Sequence, residues 1–441
     1  MIDGTAGPPG APVAPTLRRR PRWILPGRYW LTLVVALGFY GYAWMVQPYR
    51  PQLAAVLDEP PPLVTVTEDG IRPEDTADPL AAYQARRWGY LGAWYDQFHY
   101  ARMARALGRF ELPGRHWDHE RMVADVDAPE REPSSFSYGL GYPLVGAAFF
   151  LLGFRGDPFV VADGLLFALA ACLALALAER VLRPRTAVVA VNALVLTAPL
   201  VTYFVIPYGS SLTAVAVLGC LLVVTGDRFD WRTGLAVGTA VALAFAARYV
   251  DVVWLLGVLV PPLLLRWRAA WRVLAATTAL LVVTAALVGL AQDAVFGHPL
   301  RTPYRYVHGG LDASLDAYRI DQIPEAAVGV VLTGDRSRLF RVEPILRGFP
   351  WAVLAPVGLA VLFRRRHRLR WALALGAAVG VASSLLYFAW AFGNTRDLSF
   401  WIIRFHAPWF ALWAVLAAVA VEAGLDRLVR APLGGEPASP A

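Results

Sequence analysis

This sequence contains no lysine and only two cysteines. All 41 basic residues are arginines, set against 33 acidic residues, and the formal net charge is +8. The two cysteines, Cys172 and Cys220, both lie inside apolar runs. A pair placed in this way builds neither a disulfide framework nor a thiolate metal site, so we interpret both as packing residues.

The sequence signatures of several common enzyme classes are missing as well. There is no Walker phosphate loop, no dinucleotide-binding glycine fingerprint and no G-x-S-x-G nucleophile turn. No internal repeat of fixed period is visible either. The missing motifs make a nucleotide-linked substrate less favoured than a lipid-linked one.

Charged residues are scarce and unevenly placed. They make up 17% of the chain, whereas 57% is hydrophobic, and the mean hydropathy is +0.47. Long uncharged stretches predict an all-α polytopic membrane protein of roughly ten transmembrane helices. Lipid provides no hydrogen-bond partner for backbone groups and no counter-charge for charged side chains, so the spanning segments are helical and apolar. The arginines cluster beside apolar runs, as the positive-inside rule predicts. The expected partner is therefore the lipid bilayer, and nucleic acid is excluded.

The apolar runs and polar segments divide the chain into seven parts. They are residues 1–28 (cytoplasmic disordered tail), 29–46 (first transmembrane helix), 47–138 (extracytoplasmic loop), 139–291 (transmembrane bundle), 292–345 (second extracytoplasmic loop), 346–422 (C-terminal transmembrane helices) and 423–441 (cytoplasmic tail). A cleaved signal peptide is the alternative for the first run. The long tail before it, and Gln47-Pro48-Tyr49 after it, favour an uncleaved anchor.

The arginine clusters also predict which side of the membrane each loop occupies. Clusters at 180–185, 228–232, 266–272 and 364–370 should all be cytoplasmic. All four clusters face the cytoplasm only if one of the apolar runs does not cross the membrane. We assign this role to residues 139–153, because a span needs about 20 residues and this run is shorter. We therefore expect ten crossings of the plasma (inner) membrane, with both termini inside and both polar loops outside. Another short run as the non-crossing segment is the alternative.

The most informative segment follows the first span. Residues 91–107 show near-helical apolar spacing but are too charged to span, which is typical of a helix lying at the membrane surface. Asp96, His99 and Tyr100 are three and four residues apart and therefore share one face of that helix. Tyr138 and Tyr142 follow in Tyr-Gly-Leu-Gly-Tyr-Pro, at the start of the next apolar run.

This arrangement resembles the C-type (GT-C) glycosyltransferases. The similar features are the D-x-x-x-Y-x-x-x-A-x-x-L helix that begins at Asp96, the aromatic-Gly-Tyr-Pro motif, and the stretch from Gly234-x-x-x-Gly238 to Arg248-Tyr249. The likeness is to the protein O-mannosyltransferase and lipid A aminoarabinose transferase branch. It covers roughly residues 29–265, and no specific match is visible beyond residue 290.

The resemblance implies a GT-C-like fold and a transferase activity on the extracytoplasmic face. A sugar on a polyprenyl-phosphate carrier would pass to a hydroxyl or amide of a glycan, lipid or protein acceptor, with Asp96 as general base. An ion pair with Arg102, or a helix-capping role, is the alternative for Asp96. The family often places a second acid beside this aspartate, but Gln97 stands here. No cofactor is required. Because Gln97 stands where the second acid is expected, both the use of a divalent metal and the transferase activity itself stay open.

A departing lipid phosphate needs fixed cations, and the forked guanidinium of arginine binds phosphate oxygens in pairs. The candidate donor phosphate-binding residues are Arg248, Arg404, Arg305 and Arg301. The candidate acceptor or sugar-binding residues are Gln97, His99, Tyr100, Tyr138, Tyr142, Tyr304 and His406, and no metal ligand is assigned. The alternative for Arg248 is an ion pair with Asp251 inside the protein. The alternative for Arg404 is anchoring at the lipid headgroups. The alternative for residues 298–308 is an ordinary solvated loop.

Two other classes of function compete with a transferase. A transporter or flippase of a lipid-linked or small substrate commonly shows repeated halves and broken helices with polar residues at the membrane midplane. Neither feature is visible in this sequence. A non-catalytic membrane scaffold of GT-C type is the other class, and Gln97 is the residue that favours it.

The predicted topology can be tested with reporter fusions. Fusions after Gly156 and after Gly310 should both report an extracytoplasmic position, since 139–153 does not cross in this scheme. Alkaline phosphatase activity and green fluorescent protein fluorescence give opposite readings on the two sides. A cytoplasmic signal at either position contradicts the scheme.

Overall fold

The computed structural model of this protein describes most of the apolar runs and little of the first polar segment. The described residues are 26–46, 66–67, 70–71, 100, 103–110, 139–154, 158–197, 209–296, 298–300, 319–333, 345–389 and 405–430. Nearly all of them are helical. Within these ranges the strands are β1 (Val66–Thr67) and β2 (Gly70–Ile71), which form a small antiparallel pair with Val66 opposite Ile71.

The helices follow the apolar runs of the sequence. In chain order they are α1 (Gly27–Val46), α2 (Gly141–Leu151), α3 (Phe159–Ala178), α4 (Pro184–Val195), α5 (Ser210–Val224), α6 (Trp231–Ala247), α7 (Asp251–Leu264), α8 (Trp267–Phe296), α9 (Ile323–Val328), α10 (Ile345–Gly348), α11 (Ala355–Arg364), α12 (Arg370–Ala389) and α13 (Phe410–Arg430). Residues 103–108 are also helical. Short 3-10 turns at Ile320–Gln322, Pro350–Leu354 and Ala407–Trp409, and a π turn at Gly329–Thr333, complete the described elements.

Four helices in the described ranges are long and apolar enough to cross a membrane. They are Phe159–Ala178, Trp267–Ala294, Arg370–Ala389 and Ala407–Val429. Shorter apolar helices accompany them at Gly141–Leu151, Pro184–Val195, Ser210–Val224, Trp231–Ala247, Asp251–Leu264 and Pro350–Arg364. The chain is therefore an α-helical integral membrane protein, as its composition indicates, and the total of about ten crossings stays a prediction.

The last helix continues past the predicted end of the final span. We expected the apolar run to stop at residue 422, but α13 continues to Arg430. Glu422 is the last residue of the predicted span and Asp426 lies in the extension, and both pair with Arg183. A helix can extend beyond its apolar residues where neighbouring elements supply such partners.

Small residues allow the helices to approach closely. Gly234 and Gly238 of α6 face α8, where an added Cβ would lie 3.0 Å from the Cα of Val273 and of Thr277 respectively. In lipid there is no hydrophobic force between helices, so close van der Waals packing of this kind holds them together. The Gly-x-x-x-Gly spacing seen in the sequence is thus a helix-packing site.

Arginines near the ends of several helices form a network of contacts at one end of the bundle. Arg28 beside α1 pairs with Glu179 after α3, and Arg183 before α4 pairs with Asp426 of α13 at 2.5 Å. Further members are Arg180, whose guanidinium bonds the end of α5 at Leu222 and Thr225, Arg266, which donates to Gly226, Arg365, which pairs with Asp426, and Arg368, which pairs with Asp227. We call this set the arginine network. It gathers at one end the clusters that we expect to be cytoplasmic.

The short helix α2 lies toward the opposite end. Its first residue, Gly141, packs against Leu243 and Ala247 near the end of α6. Its middle, at Gly146, packs against Phe159, the first residue of α3. At 1.5 Å per residue α2 is about 16 Å long, against a hydrocarbon core of about 30 Å. That residues 139–153 do not cross the membrane stays a prediction.

The loop between α5 and α6 ends in a helix cap. The carboxylate of Asp230 accepts a hydrogen bond from the backbone N–H of Thr233 at 2.7 Å. This bond to the charged form holds the pKa of Asp230 below its ordinary value. The cap fixes where α6 begins and thereby sets the position of Arg248 at its far end.

Replacing Gly358 with alanine tests the packing of α11 against α13. A Cβ at Gly358 would overlap the carbonyl oxygen of Leu416, a backbone atom that cannot rotate away. We expect Gly358→Ala to lower the free energy of unfolding by about 1–3 kcal/mol. Thermal unfolding in detergent measures the change.

Gly424 provides the matched control on the same helix pair. An added Cβ there meets no atom of the described residues within 4 Å. Gly424→Ala should leave stability equal or slightly higher, because alanine is the better helix former. Equal destabilisation by both variants contradicts the close approach at Gly358.

Candidate functional site

Arg248 lies at the junction between α6 and α7, away from the arginine network. Helix α6 ends at Ala247, and the extended backbone of Arg248 (φ −149°, ψ 104°) turns the chain toward α7. Asp251 is the first residue of α7. A carboxylate in the first turn of a helix is favoured by the helix dipole. The local sequence therefore sets an arginine and an aspartate three residues apart at the end of two helices.

The Arg248 side chain is held on both of its terminal nitrogens. One nitrogen, Nη1, lies 3.3 Å from Oδ2 of Asp251, and the other, Nη2, donates to the hydroxyl of Tyr387 at 2.6 Å. The Tyr387 hydroxyl in turn donates to Oδ1 of Asp251 at 3.3 Å, and the hydroxyl of Thr213 donates to Oδ2. Elements α5, α6, α7 and α12 thus meet at one buried carboxylate.

Aromatic rings fix the plane of the guanidinium. Its carbon, Cζ, lies 4.3 Å from the ring centroid of Phe405 and 5.3 Å from that of Tyr387. The two rings stack on each other at 4.2 Å with an interplanar angle of 12°. A cation over aromatic faces is attracted by the ring quadrupole, most strongly away from water. We call Arg248, Asp251, Thr213, Tyr387 and Phe405 the Arg248 cluster.

His406 extends the cluster along α12. Its ring packs on Phe388 with centroids 4.7 Å apart, next to the Tyr387–Phe405 stack. Its Nδ1 atom lies 2.7 Å from Oγ of Ser384, one turn earlier on α12. The dipeptide Phe405–His406 is therefore fixed on the last turns of α12 by two ring contacts and one hydrogen bond.

A second group of rings surrounds a buried carboxylate at the start of α3. The hydroxyl of Tyr142 donates to Oδ1 of Asp163 at 2.7 Å, and both residues are fully buried. The Tyr142 ring stacks on Phe159 at 4.4 Å and meets the edge of Tyr100 at 5.1 Å. We call these four residues the tyrosine cluster.

The two clusters lie at the same end of the bundle. Gly141, beside Tyr142, packs against the backbone of α6 one turn before Arg248. Gly209, which precedes α5, packs on the same junction, and an added Cβ would lie 3.6 Å from Cγ of Arg248. Glycine at these points lets three segments converge at the end of α6.

The structure brings together Tyr100 and Tyr142, and it brings together Arg248 and the segment that holds His406. Arg248 makes the internal pair with Asp251 that was the alternative to a phosphate-binding role, and its phosphate role stays a prediction. The remaining predicted site residues lie outside the described residues: Asp96, Gln97, His99, Tyr138, Arg301, Tyr304, Arg305 and Arg404. Among the described residues no group of three His, Cys, Asp or Glu side chains is arranged to hold a metal ion.

Sequence reasoning missed several members of these clusters. Asp163 lies inside an apolar run, and its signal was available, because an ionisable residue within a membrane helix marks a functional site by default. Tyr387 and Ser384 carried no such signal. Tyr387 is 136 residues from Asp251 in sequence, and only the packing of α12 against α7 brings the two together.

A double-mutant cycle tests whether Arg248 and Asp251 stabilise the fold as a pair. Their side chains are 14% and 3% exposed, so removing one leaves the other charge buried. We expect Asp251→Ala to lower the free energy of unfolding by about 3–5 kcal/mol.

The double variant Arg248→Met/Asp251→Ala should recover much of that loss, since neither charge is then left unpaired. Thermal unfolding in detergent or lipid nanodiscs measures each variant. A double variant less stable than either single one contradicts a mutual pair.

Comparisons with known proteins give structural likenesses but no sequence match. No family model and no curated protein matches the chain. Among solved structures, the chain is similar to an oligosaccharyltransferase from Archaeoglobus fulgidus, solved with zinc and sulfate. The identity is 14%, the TM-score is 0.38, and the match covers 90% of this chain but only 49% of the other. A likeness this distant carries no argument about the fold, the activity or the residue roles of this chain.

Proposed function

We propose that this protein is a membrane glycosyltransferase that moves a sugar from a polyprenyl-phosphate carrier to a hydroxyl or amide of an acceptor. The observation that carries the proposal is the Arg248 cluster, a guanidinium fixed in position at the end of the bundle away from the arginine network. An anionic carrier phosphate needs such a cation, and a fixed one has less entropy to lose on binding than a flexible one.

The arrangement of the two clusters fits a substrate with a phosphate and a sugar. Arg248 offers positive charge held by aromatic rings, and its side chain keeps 14% exposure. Tyr100 and Tyr142 are buried at the same end of the bundle, where the two rings pack edge to face. In the predicted surface helix Asp96 shares a face with Tyr100, so contact between Tyr100 and Tyr142 supports a position for Asp96 near the same end.

The proposed reaction is a single displacement. The acceptor hydroxyl gives its proton to the carboxylate of Asp96 while its oxygen forms a bond to the anomeric carbon of the sugar. The bond from that carbon to the phosphate oxygen breaks, and the phosphate keeps the electron pair. The anomeric configuration inverts. Arg248, with Arg301, Arg305 and Arg404 as further candidates, offsets the negative charge that grows on the phosphate.

In this proposal the protein crosses the plasma membrane about ten times and works on its outer face. The arginine network then marks the cytoplasmic face, in accord with the positive-inside rule. The Arg248 cluster and the tyrosine cluster lie at the other end, where a lipid-linked sugar and its acceptor meet. No cofactor takes part in the displacement as written.

A transporter or flippase is the alternative, and Asp163 is the observation that favours it. A fully buried carboxylate at the start of a membrane helix is a feature of ion and substrate pathways as well as of enzymes. The two functions differ in what becomes of the carrier. A transferase releases sugar-free polyprenyl phosphate, whereas a flippase leaves the sugar attached.

Replacing Asp96 with asparagine tests the proposed base. The amide keeps the size of the side chain but accepts no proton, so we expect Asp96→Asn to lower the transfer rate by about 10²- to 10⁴-fold. Release of sugar-free polyprenyl phosphate from a sugar-loaded carrier, in vesicles containing the purified protein, measures the rate.

Asp125→Asn, in the same polar segment, is the matched control and should retain full activity. The amount of each variant in the membrane must equal that of the unmodified protein. Full activity in Asp96→Asn removes this residue from the mechanism, and no release by the unmodified protein rejects the transferase function.

A further inference from the structure

His406 carries a buried acceptor that the fold does not use. The residue is 4% exposed, and among the residues that the structure describes its Nε2 atom has no hydrogen-bond partner, whereas the other ring nitrogen bonds Ser384. Buried polar atoms are paired in the great majority of cases, so an exception at a candidate site calls for an explanation. The segment concerned is also held firmly, because Phe405 and His406 each pack on a ring of α12.

The hydrogen bonds of Ser384 assign the tautomer of the imidazole. The serine hydroxyl has one proton and donates it to the carbonyl oxygen of Gly380 at 2.9 Å. Serines inside helices commonly donate to the carbonyl four residues earlier in this way. The 2.7 Å contact with His406 therefore requires Nδ1 to donate to the serine oxygen. A neutral imidazole that donates from Nδ1 has a lone pair, and no proton, on Nε2.

The position of His406 links this lone pair to the proposed phosphate site. Phe405, its neighbour in the chain, lies directly against the guanidinium of Arg248. Tyr387, which holds Nη2 of Arg248, lies one turn beyond Ser384 on α12. A cation and a hydrogen-bond acceptor are thus fixed by the same two short segments.

We propose that Nε2 of His406 accepts a hydrogen bond from a hydroxyl group of the sugar on the carrier. This inference rests on the proposed function and adds a specific recognition group to it. A carrier phosphate offers oxygen acceptors to Arg248, and the sugar next to it offers O–H donors, which Nε2 requires. Ser384 acts as a positioning residue, because its hydroxyl oxygen holds the imidazole in the tautomer that leaves Nε2 free to accept.

Two substitutions separate sugar recognition from a structural role. Asparagine at 406 retains a donor near the Nδ1 position for Ser384 but has no group at Nε2. Glutamine places an amide oxygen near Nε2 and gives up the Ser384 bond. Sugar recognition predicts that His406→Asn is the more damaging change, whereas a purely structural role predicts the reverse.

Binding to two probes provides the measurement. The probes are farnesyl phosphate, which has no sugar, and farnesyl phosphate carrying mannose or arabinose, each titrated against the full-length protein in lipid nanodiscs. His406→Asn should weaken binding of the sugar-loaded probes by about ten- to a hundredfold, with farnesyl phosphate unaffected. His406→Gln should retain most of the affinity, and Arg248→Met should weaken every probe.

A spectroscopic readout follows the unmodified protein and needs a variant only to assign the signal. The ¹⁵N spectrum of histidine-labelled protein should contain an unprotonated Nε2 signal, assigned to His406 by its loss in His406→Gln. Sugar-loaded probe should shift this signal, and farnesyl phosphate should not.

The outcomes distinguish the two proposals. Binding of all probes with no effect of His406→Asn, or an equal effect on every probe, overturns the role of His406 and leaves the transferase proposal standing. An Nε2 signal that shifts equally with both kinds of probe overturns it too. Failure of the unmodified protein to bind any probe rejects the proposed function, and with it the inference.

Discussion

The structure depends on one constraint: a polar group removed from water inside a membrane protein must find its partners within the chain. The Arg248 cluster is where this constraint acts most strongly. Five residues each contribute a side chain, and the carboxylate of Asp251 receives contacts from an arginine, a tyrosine and a threonine. Losing one partner leaves a buried charge, so the relative positions of α5, α6, α7 and α12 are coupled to one another.

The two ends of the bundle use charge in different ways. At the arginine network the partners are partly exposed, as with Arg183, whose side chain is 63% exposed, and each such pair contributes little to stability. At the Arg248 cluster the charges are nearly buried and surrounded by rings. The first end therefore carries partly exposed ion pairs, and the second holds a cation in a defined place.

The sequence was sufficient for the helices and insufficient for their side-chain partners. The predicted transmembrane bundle at 139–291 contains α3, α5 and α7, because a lipid-facing helix must be apolar along its length. The pairing of Tyr142 with Asp163 links α2 to α3 through tertiary packing, for which local spacing carries no information. The Arg248–Asp251 pair was foreseen because its members are three residues apart in the sequence. Local contacts can be read from a sequence, whereas contacts between distant helices require the fold.

The composition of the arginine network has a chemical consequence. Because the chain has no lysine, every cation in the network is a guanidinium, which stays charged at any pH that the fold survives. Acetyltransferases and amine-reactive cross-linkers act on lysine ammonium groups and find no side chain of that kind here. The contacts between helix ends are consequently insensitive to alkaline conditions and to the commonest charge-removing modification of basic residues.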